Sequence, residues 1–279
     1  MFKKIIEFFK NLFSKKENDV VEPEVNSGST ESIIDSGETI EIIDSGDTVD
    51  SGETIVISNS GETEPSNNPV FNSDIKILID NGHGNDTGGK RSPWSAHKVP
   101  PEIEFYEYKW NREIAGPIVD ELKKRGYNAE LLVTEENDIS LAERVRRVNS
   151  YCTSYGASKV ILVSIHANAA GHGDEWKTGR GWCAYTTRGK TKSDDLAEYL
   201  YREAAKNFVG MKLRADTSDG DSDQEADFYI IKKTYCTAVL TENFFFDNVD
   251  DVSYILSDEG RKAVIKTHVD GIINYINSL

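Results

Sequence analysis

The chain has 279 residues and a formal charge of -16, which is unfavourable for a phosphate-tracking surface, because nucleic-acid binding needs clustered Lys and Arg that release counterions. No uninterrupted apolar run approaches the roughly 20 residues that cross a bilayer. Cys152, Cys183 and Cys236 lie far apart with no CxxC pair, so neither a disulfide framework nor a cysteine-rich zinc knuckle is written here, and all three read as small buried residues.

The opening run MFKKIIEFFKNLFSKK places Phe2, Ile5, Ile6, Phe9, Leu12 and Phe13 on one helical face, with Lys3, Lys4 and Lys10 off it. Residues 1–16 are therefore expected to form a basic amphipathic helix, suited to an anionic membrane surface or to docking on a protein partner. Glu7 and Lys10 interrupt the apolar stretch and no small-residue cleavage site follows, so it does not read as a secretory signal. Residues 17–74 carry no Lys or Arg. A short unit recurs there as SGST at Ser27, SGET at Ser36, SGDT at Ser45 and SGET at Ser51 and Ser60. Like charges repel and too few large apolar residues offset the ordering entropy, so this stretch reads as a disordered acidic linker. The competing reading stacks Ile33-Ile34, Ile42-Ile43 and Ile55-Val56-Ile57 as short strands of a small repeat.

Residues 75–279 alternate strand and helix patterns, the signature of a three-layer α/β domain with a central, mostly parallel sheet flanked by helices. Strands are expected at Lys76 to Asp80, Ala129 to Thr134, Lys159 to Ile165, Gly181 to Thr187 and Ala238 to Glu242. Helices are expected at Glu104 to Arg125, Ser140 to Tyr155, Ser193 to Phe208 and Asp258 to Asn277. Ser140 with Glu143 reads as a capping box, and Gly126 closes the first helix. Pro117 inside that helix predicts a kink or a fresh start.

Open α/β sheets place ligands beyond the carboxyl ends of their strands. His83 in DNGHG and His166 in SIHANA stand at two such ends, and neutral imidazole is a favoured zinc ligand. A catalytic zinc takes three protein ligands and leaves a position for water. A third ligand is sought in EIEFYEYKWNREIA, where Glu104 and Glu107 sit one helical turn apart. Glu242, after AVLT, is placed to take a proton from a metal-activated water.

These pieces, in this order, resemble the zinc-dependent Amidase_3-type N-acetylmuramoyl-L-alanine amidases of bacteria and phages. Glu107 precedes Asn111 and Ala115 as the family's liganding glutamate precedes its Asn and Ala. SLAERVRRVN is similar to its Leu/Arg/Asn helix, SIHANA to its second-histidine motif, and LTENFF to its catalytic-glutamate segment. The resemblance implies zinc held by His83, Glu107 and His166, with Glu242 as general base. It implies hydrolysis of the amide between N-acetylmuramic acid and L-alanine in peptidoglycan, at the bacterial cell wall. Asn168 and Asn243, beside the motifs, are candidate substrate contacts, and Asp80 is a candidate partner of the histidines. Two departures stand out: a longer loop after His83 containing His97, and Asn243-Phe244-Phe245 where the family commonly has Thr-Gly-Phe. The rival readings are a zinc peptidase cutting elsewhere in the stem peptide and a wall-binding module without turnover.

Overall fold

The computed structural model describes residues 73–279. The expected helix over residues 1–16, and all but the last two residues of the expected linker, lie outside them. In chain order the elements are β1 (Lys76–Asn81), α1 (Pro93–His97), α2 (Glu107–Lys124), β2 (Asn128–Leu131), α3 (Leu141–Tyr155), β3 (Val160–Asn168), β4 (Cys183–Thr186), α4 (Lys192–Asn207), β5 (Gln224–Glu225), α5 (Tyr229–Lys232), β6 (Thr237–Phe245), α6 (Val249–Leu256) and α7 (Asp258–Ile276). The sheet order is β2-β1-β3-β6-β4-β5. All neighbours are parallel except β4 against β6.

Every residue of β1 is buried, as expected for a strand covered on both faces. Alternation divides its side chains. Ile77 and Ile79 join Ile161, Val163 and Val239 beneath Trp110, Ile114 and Leu122 of α2, Leu196 and Leu200 of α4, and Val269 and Ile272 of α7. Leu78, Leu162 and Leu240 face the other way, against Val145 and Val148 of α3 and Ile230 and Ile231 of α5. The three-layer expectation therefore holds. Each large aliphatic side chain removed from water contributes about 1.5–3 kcal/mol, so the central strands anchor the layers on either side.

Local readings need two corrections, and at Pro117 the fresh start is the alternative that does not occur. The first long helix starts at Glu107, with Tyr106 as its N-cap, so Glu104 lies off the helix and exposed. Its helix runs on through Pro117 without a fresh start. Pro117 lies on the exposed side of the helix. At α3 only half of the capping box forms: Ser140 Oγ accepts the Glu143 N–H at 3.3 Å, while the Glu143 carboxylate turns to Arg146 and Arg147. A complete box forms instead at Thr191 and Asp194, at the start of α4.

Candidate active site

β1 ends in Asn81, and the chain turns at once through Gly82, His83 and Gly84. The two glycines allow contacts that no other residue would. A Cβ on Gly84 would lie 1.9 Å from the Asp138 backbone nitrogen, and one on Gly82 would lie 2.1 Å from His166 Cε1. His83 has φ 65, a left-handed conformation that costs a non-glycine residue roughly 1–2 kcal/mol. Two arginines hold its carbonyl: Arg112 donates at 2.9 Å and Arg144 at 3.4 Å. Asn111 donates to the Gly82 carbonyl at 3.0 Å.

Arg144 is 2% exposed. Its guanidinium is met by Asp80 Oδ1 at 2.5 Å, Asp138 Oδ1 at 3.2 Å and the carbonyls of Asn81 and Ile139. Asp80 also accepts from Ser164 Oγ at 2.6 Å. Asp80, read from the sequence as a partner of the histidines, is thus the counter-ion of Arg144. Truncating one member of such a buried pair strands the other's charge, so this strut braces the His83 turn rigidly.

Glu107 occupies the first turn of α2, where the helix dipole favours a carboxylate. It is 1% exposed. Oε1 accepts from His166 Nδ1 at 3.0 Å and from the Ala167 N–H at 3.1 Å, while Oε2 stands 3.4 Å from His83 Nε2. The His83 and His166 rings meet edge to face with centroids 4.8 Å apart. One ligand atom from each of His83, Glu107 and His166 falls within 4.8 Å of the others. Glu107 Oε2 is buried with no hydrogen-bond partner. A buried oxygen left this way beside two imidazoles fits a cation, which would accept its lone pairs.

Burial lowers His83 to about 4, and the Lys90 charge acts in the same direction. It is therefore neutral at physiological pH, the form that ligates metal. Burial pushes Glu107 upward, but His83, Lys90 and His166 outweigh it and hold the carboxyl well below the usual range. His166 moves above its ordinary value, since the Glu107 hydrogen bond and the charges of Glu107 and Glu242 overcome its burial.

Glu242 lies opposite His166 in the β3–β6 register and opposite Cys183 across β4. It is 4% exposed and its Oε2 has no hydrogen-bond partner. Burial raises it to about 7, with the Glu107 charge adding and His166 opposing. The strand does not end here as expected but continues to Phe245. Phe244, where the family commonly has glycine, takes φ 67 and packs fully buried against Phe208 and Tyr254. That aromatic packing offsets the backbone cost.

Asn243 is fully buried. Its Oδ1 accepts from Trp182 Nε1 at 2.9 Å, and its Nδ2 donates to the His166 carbonyl at 2.9 Å and to Thr241 Oγ1 at 3.1 Å. The carboxamide thus fixes the backbone of His166. Asn168, 1% exposed, likewise turns inward, its Oδ1 accepting the Ala169 N–H at 2.8 Å. His97 is exposed in the last turn of α1 and outside the ligand group.

The clearance at Gly82 gives a sharp test. Gly82→Ala must displace the His166 ring, so metal affinity is expected to fall about tenfold or more, the scale seen when ligand orientation is disturbed. Competition with a chromogenic chelator measures it; unchanged affinity would show that the ring has room to retreat.

The sheet gathers two histidines and a carboxylate that could hold one cation, with a raised carboxyl on the adjoining strand, an arrangement suited to metal-assisted hydrolysis. The chain belongs to the Amidase_3 family, N-acetylmuramoyl-L-alanine amidase, whose pattern matches residues 77–274. Its activity class is accordingly that of a peptidoglycan amidase. Among curated relatives, the endolysin of Bacillus phage SPP1 is 26% identical over 208 residues, covering 72% of this chain and 66% of that one. The N-acetylmuramoyl-L-alanine amidase CwlM of Bacillus licheniformis is 25% identical over 206 residues, covering 73% and 69%. The match therefore spans about two thirds of the length of each. The fold is shared with the crystal structure of N-acetylmuramoyl-L-alanine amidase from Clostridium difficile 630, with a TM-score of 0.60 and 23% identity over 74% of this chain and 99% of that one.

Proposed function

We propose that the whole chain hydrolyses the amide between N-acetylmuramic acid and L-alanine in the bacterial cell wall, with zinc as its cation. The observation that carries this reading is the convergence of His83, Glu107 and His166 within 4.8 Å beside Glu242, which faces His166 in register. Zinc bound there would supply Lewis-acid polarisation of the carbonyl and activation of water. Glu107 orients the His166 ring through Nδ1. Glu242, a buried carboxyl poised near neutrality, takes the proton from the attacking water and returns it to the leaving amine. Treatment of purified peptidoglycan should release new L-alanine amino termini and leave the glycan intact, as read by mass spectrometry. New termini elsewhere in the stem would favour the peptidase reading, and no release at all the wall-binding module.

The division into residues 1–16, 17–74 and 75–279 belongs to the same proposal. The basic apolar run holds an anionic membrane surface, and the acidic linker lets the amidase domain reach the wall. Residues 75–279 alone are expected to fold and to cut soluble muropeptides at the full-length rate. Anionic vesicles should bind the full chain only, less tightly as salt rises or when Lys3, Lys4 and Lys10 become Glu. Equal vesicle binding by the short form would overturn the membrane role, and an unfolded short form the boundary.

A further inference from the structure

Cys152 and Cys236 read from the sequence as isolated small residues, yet the fold brings them together. Asn149 of α3 donates from Nδ2 to the Lys233 carbonyl at 3.0 Å and accepts the Tyr235 N–H at Oδ1, also at 3.0 Å. This double clasp pins the turn before β6 against α3. Cys152 lies one helical turn beyond Asn149 on the same face, and Cys236 follows Tyr235 directly. Both sit in the cluster beneath α3, both are free thiols, and they lie near enough for each to shift the other's titration. Cys152 is buried and Cys236 half-buried, so a small reagent reaches the pair from the Cys236 side. Cys183, by contrast, is fully buried on β4.

We propose that Cys152 and Cys236 form an intramolecular disulfide when the protein meets a low-molecular-weight disulfide such as oxidised glutathione. A thiolate of the pair attacks the reagent, forming a mixed disulfide and expelling one reagent thiolate. The second protein thiolate then attacks the protein sulfur of that mixed bond and expels the other. Two protein thiols are oxidised, one reagent disulfide is reduced to two thiols, and two protons leave the cysteines. The pairing with the Cys236 side chain lowers Cys152 to about 7, so a thiolate is at hand near neutral pH. The pairing with the Cys152 side chain, then burial and the Cys152 charge, push Cys236 upward and keep its proton in place. Cys183, raised to about 12 by burial, stays out of the exchange. The bond would close a long loop and join α3, whose Arg144 holds the His83 carbonyl, to the start of the strand carrying Glu242.

The test uses the full chain, incubated with oxidised glutathione, acid-quenched, unfolded and labelled with a maleimide. Intact mass should show three labels before oxidation, one for each cysteine, and a single label on Cys183 afterwards. A Cys152–Cys236 peptide should appear in the non-reduced digest and vanish on reduction. The melting temperature should rise by roughly 5 °C or more, because a cross-link over a long loop restricts the unfolded chain. Cys236→Ser, which lacks the resolving thiol, should form no internal bond and stop at a glutathione adduct on Cys152, leaving one label on Cys183. Three labels after oxidation of the parent chain, a lasting glutathione adduct on it without the internal bond, or a cross-linked dimer would each overturn the proposal.

Discussion

Glu242→Gln is expected to bind metal as tightly as the parent chain and to hydrolyse its substrate at least about a hundred times more slowly, the usual loss when a positioned base is removed. Glutamine matches the volume of the carboxyl but cannot hold the proton. The pH profile should separate this role from a packing defect. Burial raises Glu242 to about 7 without a cation nearby. A cation at the adjoining ligands favours the ionised form and shifts that value down. The base works ionised, so kcat/KM should fall as pH drops, along a limb lying below about 7. That limb should be missing from the residual activity of Glu242→Gln. Near-parental turnover with an unchanged profile would remove Glu242 from the mechanism.

The second large effect concerns the ligands. Chelation should abolish turnover, and added zinc should restore it. Glu107→Ala should lower bound zinc by tenfold or more after dialysis, since loss of a ligand exceeds the 10- to 100-fold cost of losing an outer partner. Glu104→Ala, at an exposed position ahead of α2, should leave zinc content and rate close to parental values. Elemental analysis of the two variants side by side decides the matter; zinc retained by Glu107→Ala would sink the assignment.

Much of this centre is legible in one dimension because strand ends and histidines leave a pattern. ILIDNGHG and ILVSIHANA each set an imidazole after an apolar run, and the structure joins both to Glu107. Choosing Glu107 over Glu104 needed the family's spacing to Asn111, because periodicity alone put both on one face. The structure supplies a physical reason: the helix begins at Glu107, so Glu104 has no helical face to share. Other features were hidden. Arg144 lies in ERVRR among arginines that all look solvated, and only tertiary pairing with Asp80 shows that it is the buried one. Asn168 and Asn243 looked available because they adjoin the motifs, but a sequence does not show that each amide faces inward. Helix α6 leaves a readable signal in the sequence: Asn248 caps it by accepting the N–H groups of Asp250 and Asp251, with Val249, Val252 and Ile255 at helical spacing.

The strand order also bears on how the enzyme is assembled. β6, late in the chain, lies between β3 and β4, both made earlier, and must enter the middle of a sheet whose other members are already synthesised. Such long-range pairing is slow to form. A nascent chain extended only through β4 already contains His83, Glu107 and His166, but it has no Glu242 and no strand to pair with the second edge of β3. Ligands precede base in synthesis, so metal uptake and hydrolysis need not begin together. With the roles proposed above, a wall-cutting chain built in this order gains its base only when its central strand has been inserted.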